Sequence, residues 1–159
     1  MKSIAIIFDL KKRQREQAQI ELQRATEALK NAQLKLTQAE ESLVQFEAWK
    51  THELQQKFEE LAQQLASQKE VNEYRKSIGD IQNQWADKKT FLRQCEIEHY
   101  ECQKQRELCT KRLNRAEKEV EKYQIVSDEF KRIENIESER QSDEVLDEFV
   151  LSQSSLQKI

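Results

Sequence analysis

Proline is absent from this chain, and glycine occurs once, as Gly79, in 159 residues. Both residues punctuate loops and break helices. A chain almost without them has few places to turn, which excludes folds built from many short elements. Long hydrophobic runs are missing as well. The longest, Ile4 to Phe8, is far too short to span a bilayer, and no small-residue cleavage site follows it. The expectation is a cytosolic protein with no direct membrane insertion. The net charge of −3 lacks the basic balance of a nucleic-acid binder. Histidine occurs only twice, and no glycine-rich loop is present to cradle a phosphate.

What remains is rich in Ala, Glu, Lys, Leu, Arg and Gln, the strongest helix formers. Apolar and charged residues each make up 36%. That apolar share is too small for a thick globular core but sufficient for a narrow seam between helices. The polarity alone would also suit a disordered chain; periodicity argues otherwise. Leu22, Ala25, Leu29, Ala32, Leu36, Ala39, Leu43 and Phe46 alternate in steps of 3 and 4, a heptad seam with Leu at a and mostly Ala at d. The next positions in phase are Lys50 and Glu53, so the register is expected to fail there. It resumes with Leu54, Phe58, Leu61 and Leu65, as after an inserted stutter.

A second, longer seam runs through Ile78, Ile81, Trp85, Lys88, Leu92, Cys95, His99, Cys102, Arg106, Cys109, Leu113, Ala116, Val120, Tyr123, Ser127 and Phe130. Lys88, His99 and Arg106 are polar at core positions. Such residues either fix register or partner choice, or lay their stems along the seam with their heads in water. Between the seams lies 71–80, with Gly79 as a helix stop and Asp80 as a cap for the next helix. The fold class expected is therefore all-α: two long helices forming an antiparallel coiled-coil hairpin. It would be one domain over 1–159, with a first helix over about 5–72, a turn within 70–80, a second helix over about 80–140 and a frayed tail. At ~1.5 Å per residue, nearly equal arms would reach roughly 100 Å.

Charge favours the antiparallel choice. Lys11, Lys12, Arg13 and Arg15 make the start basic, whereas Glu134, Glu137, Glu139, Asp143, Glu144, Asp147 and Glu148 make the end acidic. A hairpin is expected to set these ends side by side, and a parallel dimer would set like ends together. Exposed pairs contribute only about 0–1 kcal/mol each, so two unrelated solvated faces would read the same way.

Chemistry finds little to work with. Cys95, Cys102 and Cys109 stand seven apart, about 10 Å along a helix. They can neither bridge one another nor share one zinc ion. They read as small apolar seam residues. No metal, no cofactor and no catalytic residue is expected: the carboxylates sit on solvated faces, and a two-helix bundle offers no water-excluding pocket. Of the aromatics off the seam, Trp49, beside the register break, and Tyr74, beside the expected turn, are candidate contact points.

The basic segment Leu10 to Arg15, the aromatic and charged stretch Phe46 to Lys50 followed by Glu53 and Phe58, and the near-terminal Asp147 to Phe149 resemble the YscO family of bacterial type III secretion, whose flagellar relative is FliJ. The resemblance implies a non-enzymatic stalk, similar to the coiled coil of the γ subunit in ATP synthase. Such a stalk sits in the hexameric secretion ATPase, promotes its activity and links it to the membrane export gate protein, with export chaperones as further partners. The implied location is the bacterial cytoplasm, peripheral to the inner-membrane secretion apparatus. On that basis Lys11, Lys12, Arg13 and Arg15 are candidate ATPase contacts. Val71, Tyr74, Arg75 and Ile78 are candidate export-gate contacts at the turn, and Trp49 is a further exposed aromatic contact. The rival is a passive coiled-coil tether or spacer without ATPase coupling. A holdase with grasping arms fits less well, because the ends are charged rather than apolar.

Overall fold

A computed structural model describes residues 2–63 and 67–157 as two helices, α1 (Lys2–Gln63) and α2 (Gln68–Gln157). They form an antiparallel coiled-coil hairpin. Its contacts divide the chain into two units: unit 1, Met1–Glu21 with Thr110–Ile159, and unit 2, Leu22–Cys109.

In unit 2 the antiparallel pairing is written in three contacts. Lys35 meets Glu98 at 3.2 Å, the Lys88 ammonium donates to the Ser42 hydroxyl at 3.0 Å, and the Trp85 indole N–H donates to Glu47 at 3.1 Å. Advancing along α1 means retreating along α2. The core is thin: Leu36, Ala39 and Cys95 are buried together with Leu92 against them. Ala25, Ala32, Ile81 and Cys109 are also buried. On α1 the alanines of the expected d layer are the closed positions, while Leu22, Leu29 and Leu43 are half-buried. A small residue in every second layer lets two backbones approach, and burial then falls on the Cβ atoms rather than on long side chains.

In unit 1 Lys11 pairs with Glu119 at 3.5 Å and Arg112 with Glu21 at 3.9 Å, again antiparallel. Phe8, Ala18 and Val120 are buried. Because Lys11 lies opposite Glu119, the few residues of α1 before it run out near residue 128 of α2. From Asp128 to Gln157 every residue is exposed. The end of α2 is thus a single helix projecting past the start of α1, roughly 40 Å of it at 1.5 Å per residue. Arg132 to Glu129 and Arg140 to Glu137 brace it at i,i+3 spacing. The side-chain hydrogen bond from Arg132 holds the Glu129 carboxyl below its ordinary range.

Several expectations are corrected. Residues 70–80 are helical throughout, so the reversal does not lie there. Gly79 has an ordinary helical φ and open space where a Cβ would stand, and Asp80 is an exposed residue within α2. The helix start is set by Ser67: its hydroxyl accepts from the Glu70 N–H at 3.3 Å, and its carbonyl from the Val71 N–H at 3.1 Å. Ser67 and Glu70 are spaced as a capping box, a stronger local signal than one glycine. The first helix ends at Gln63 rather than near 72, and the second persists to Gln157 rather than fraying after 140. The arms are unequal, 62 and 90 residues.

The seam itself follows the expectation from Leu22 to Phe46 and, on α2, at all but two positions: Arg106 and Phe130 are exposed. The register of α1 does not fail at Lys50 and Glu53, but it shifts further on: Leu54 and Leu61 of the expected resumed seam are half-buried, and Glu60, the next position in phase, is exposed. Lys50, Glu53 and Lys57 stay on the half-buried face in phase, while Phe58 is 61% exposed. Leu65 lies outside the described residues. The acidic end does not lie beside the basic start; Lys11 takes Glu119 instead, and residues 134–148 project beyond.

Two substitutions test the helix start and the helical glycine. Gly79→Ala is expected to stabilise the hairpin by about 0.5–1 kcal/mol, since the site is helical and open. Ser67→Ala is expected to cost about 1 kcal/mol through loss of the cap. Urea unfolding midpoints followed by circular dichroism check both; a destabilised Gly79→Ala chain would mean that residue 79 does turn.

Candidate functional interface

The polar stretch of the seam is organised around one indole. Trp85 donates to Glu47, and the ammonium groups of Lys50 and Lys89 stand 3.4 and 3.5 Å from its ring centroid. Beside it, Lys88 reaches across the interface to the Ser42 hydroxyl and lies 5.5 Å from the Phe46 ring. Phe46 in turn contacts Trp49, centroids 5.4 Å apart at 40°. Here the polar seam residues do not simply extend into water. Their heads are spent on ring faces and a hydroxyl, and cation–π contacts of this kind contribute about 0.5–1 kcal/mol each at exposed sites.

Trp49 leans on Phe46 yet remains 47% exposed. It packs on the seam residue Phe46 and still presents a large aromatic surface.

The four basic residues of the N-terminal segment do not act as one patch. Lys11 is half-buried, paired with Glu119 and 5.7 Å from the Tyr123 ring. Lys12 lies 4.1 Å over its own helix's Phe8. Arg15 is half-buried, with its Nε closed off from solvent and without a hydrogen-bond partner. Arg13 alone among the four is exposed. A shallow open groove beside them, floored by Ala18 and Ala116, is walled by Lys11, Glu21, Arg112 and Glu119. Those walls already neutralise each other in pairs.

The four residues expected at the turn lie instead on α2. Val71, Tyr74 and Ile78 are half-buried, and Arg75 is exposed. Their spacing carries the α2 seam back by two further layers, so Tyr74 is a packing residue rather than an exposed aromatic. That signal was legible: Val71, Tyr74, Ile78 and Ile81 step 3, 4 and 3.

Among the described residues no group of His, Cys, Asp and Glu could hold a metal ion. The three cysteines are free thiols, with Cys95 and Cys109 buried and Cys102 half-buried. No helix among the described residues is long and apolar enough to cross a membrane.

Comparison with known proteins agrees with this architecture. Residues 4–151 match a family described as type III secretion protein YscO. No curated protein matches. A similar solved structure, the 2.8 Å crystal structure of type III secretion protein YscO from Vibrio parahaemolyticus, superposes with a TM-score of 0.86 at 20% identity, covering 92% of each chain.

The indole cluster makes a measurable demand. In a double-mutant cycle of Lys50→Gln and Trp85→Leu, the two changes are expected to couple by about 0.5–1 kcal/mol. Urea denaturation of the four chains checks this, and strict additivity would reduce the cluster to mere proximity.

Proposed function

Because this chain belongs to the YscO family of type III secretion proteins, we propose that it is a non-enzymatic stalk which inserts into the hexameric export ATPase, promotes its activity and links it to the membrane export gate. Export chaperones are further partners, and the place of action is the bacterial cytoplasm at the periphery of the inner-membrane apparatus. The observation that carries the reading is the family match over nearly the whole chain, joined to a fold that consists of a coiled-coil hairpin and presents side chains rather than a pocket.

The mechanism follows from symmetry. One hairpin within a six-fold ring meets each subunit with a different face. Nucleotide-dependent changes in the ring then bias the hairpin's orientation, and the hairpin biases the ring in return, because coupling free energy is reciprocal. The seam supplies stiffness. Of the basic N-terminal residues, Arg13 is the one whose charge is available for a salt-sensitive ring contact; Lys11, Lys12 and Arg15 serve the hairpin's own packing at the same time. Trp49 is the exposed aromatic for a protein partner. At the beginning of α2, Arg75 is the accessible member of the gate-contact set, held in place by half-buried Val71, Tyr74 and Ile78.

The test is ATP hydrolysis by the cognate export ATPase with and without this protein at low salt. Arg13→Glu is expected to lower the stimulation severalfold while leaving helix content unchanged. Lys11→Glu is expected to lower hairpin stability as well, because it faces Glu119. Full stimulation by the Arg13→Glu chain would remove the ring contact. Absence of any stimulation by the native chain would leave the passive tether as the better description.

A further inference from the structure

The part of α2 that has no intrachain partner is not uniformly polar. Val145, Leu146, Phe149, Val150 and Leu156 share one side of the helix, and each is at least 57% exposed. Asp143, Glu144, Asp147 and Glu148 fall on its other side. A single helix in water gains little from propensity alone, and a contiguous exposed apolar face marks an interaction site. Over 128–157 the chain has nine acidic and three basic residues.

Unit 1 also contains a surface of the opposite character. The seam side of α1 closes on α2 through Phe8 and Ala18. On the outer side, Ile6, Leu10, Arg13, Gln17 and Ile20 follow steps of 4, 3, 4 and 3, a second heptad-spaced stripe. Ile6 is 67%, Leu10 50% and Ile20 44% exposed. Residues 2–20 have five basic and two acidic residues. A helix that is apolar on two sides has room for a third helix, and the charge on this one calls for an acidic partner. Within one chain the projecting end of α2 leads away from this face and leaves it uncovered.

We propose that the two faces meet between copies: the amphipathic end of α2 of one chain packs on the outer stripe of α1 of a second chain, and the second returns the contact. The arrangement is isologous, so each chain contributes one acidic helix end and one basic stripe, and the two contacts close the dimer without open-ended growth. Carboxylates of residues 143–148 border the apolar strip, and Lys2 and Arg13 stand within the other stripe. The pairing takes up Arg13, so a chain engaged in this way cannot use it for another acidic partner. This inference goes beyond the stalk reading and does not depend on any ATPase.

Sedimentation equilibrium of the full-length chain across the micromolar range tests it. The expected result is a monomer–dimer equilibrium that weakens as salt rises. Leu10→Asp and Phe149→Asp each alter an exposed side chain, and each is expected to weaken dimerisation at least about tenfold, with unchanged helix content by circular dichroism. Mixing these two chains is the decisive arm. A Leu10→Asp chain retains a sound helix end and a Phe149→Asp chain a sound stripe, so the mixed dimer recovers one intact contact and association returns in part. Three results overturn the proposal: a monomer at every concentration, loss with Phe149→Asp but not with Leu10→Asp (the helix ends pairing with each other), or no recovery on mixing.

Discussion

Everything in this molecule depends on how closely two helices can approach when every second seam layer of α1 is alanine. Ala25, Ala32 and Ala39 are buried where, of the seam leucines, Leu36 alone is buried and Leu22, Leu29 and Leu43 are only partly so, and the small thiols of Cys95 and Cys109 are among the most enclosed side chains on α2. With no glycine needed for contact and no proline to interrupt, closeness is achieved by side-chain size alone. The consequence is a core one residue wide. It buries little apolar area per residue, so long uninterrupted helices have to gather enough of it.

A thin seam also explains why its polar layers are tolerated. Lys88 at a seam position is near enough to the surface for its ammonium to reach Ser42 and the Phe46 ring. Lys50 finds the Trp85 face in the same way. Full burial of such charges would demand an ion pair and a large desolvation cost. At a half-buried seam the methylene stem packs and the head keeps partial hydration. Polar residues can then mark the register, because sliding one helix along the other would separate Trp85 from Glu47 and Lys88 from Ser42 together.

The helical character, the hairpin and most of the seam were legible because they rest on period, and period survives in sequence wherever packing is repetitive. The turn was not legible from Gly79, since a single glycine is weak punctuation: where φ stays helical it costs only a fraction of a kcal/mol to about 1 kcal/mol. The better signals were the Ser67–Glu70 spacing and the continuation of the α2 period through Tyr74 and Val71. Phe58 misled for a related reason. Apolar identity suggested that it belonged to the resumed seam, and Leu54 and Leu61 do lie on the half-buried face, but Lys57 rather than Phe58 stands between them there. For the basic segment, composition revealed the charge but not its commitments. Only geometry separates Arg13, which is exposed, from Lys11, which belongs to Glu119.

Unequal arms turn that last distinction into a division of labour. Had the reversal fallen at the midpoint, the acidic end would have covered the basic start, and the chain would have saturated its own charges. Because α2 begins at Gln68, its final turns have no α1 beside them, and the two charge sets are left on separate surfaces of unit 1. The same register that satisfies Lys11 with Glu119 leaves Arg13 and the carboxylates of 143–148 exposed. The hairpin's own register decides which charges are spent on holding it together and which stay exposed.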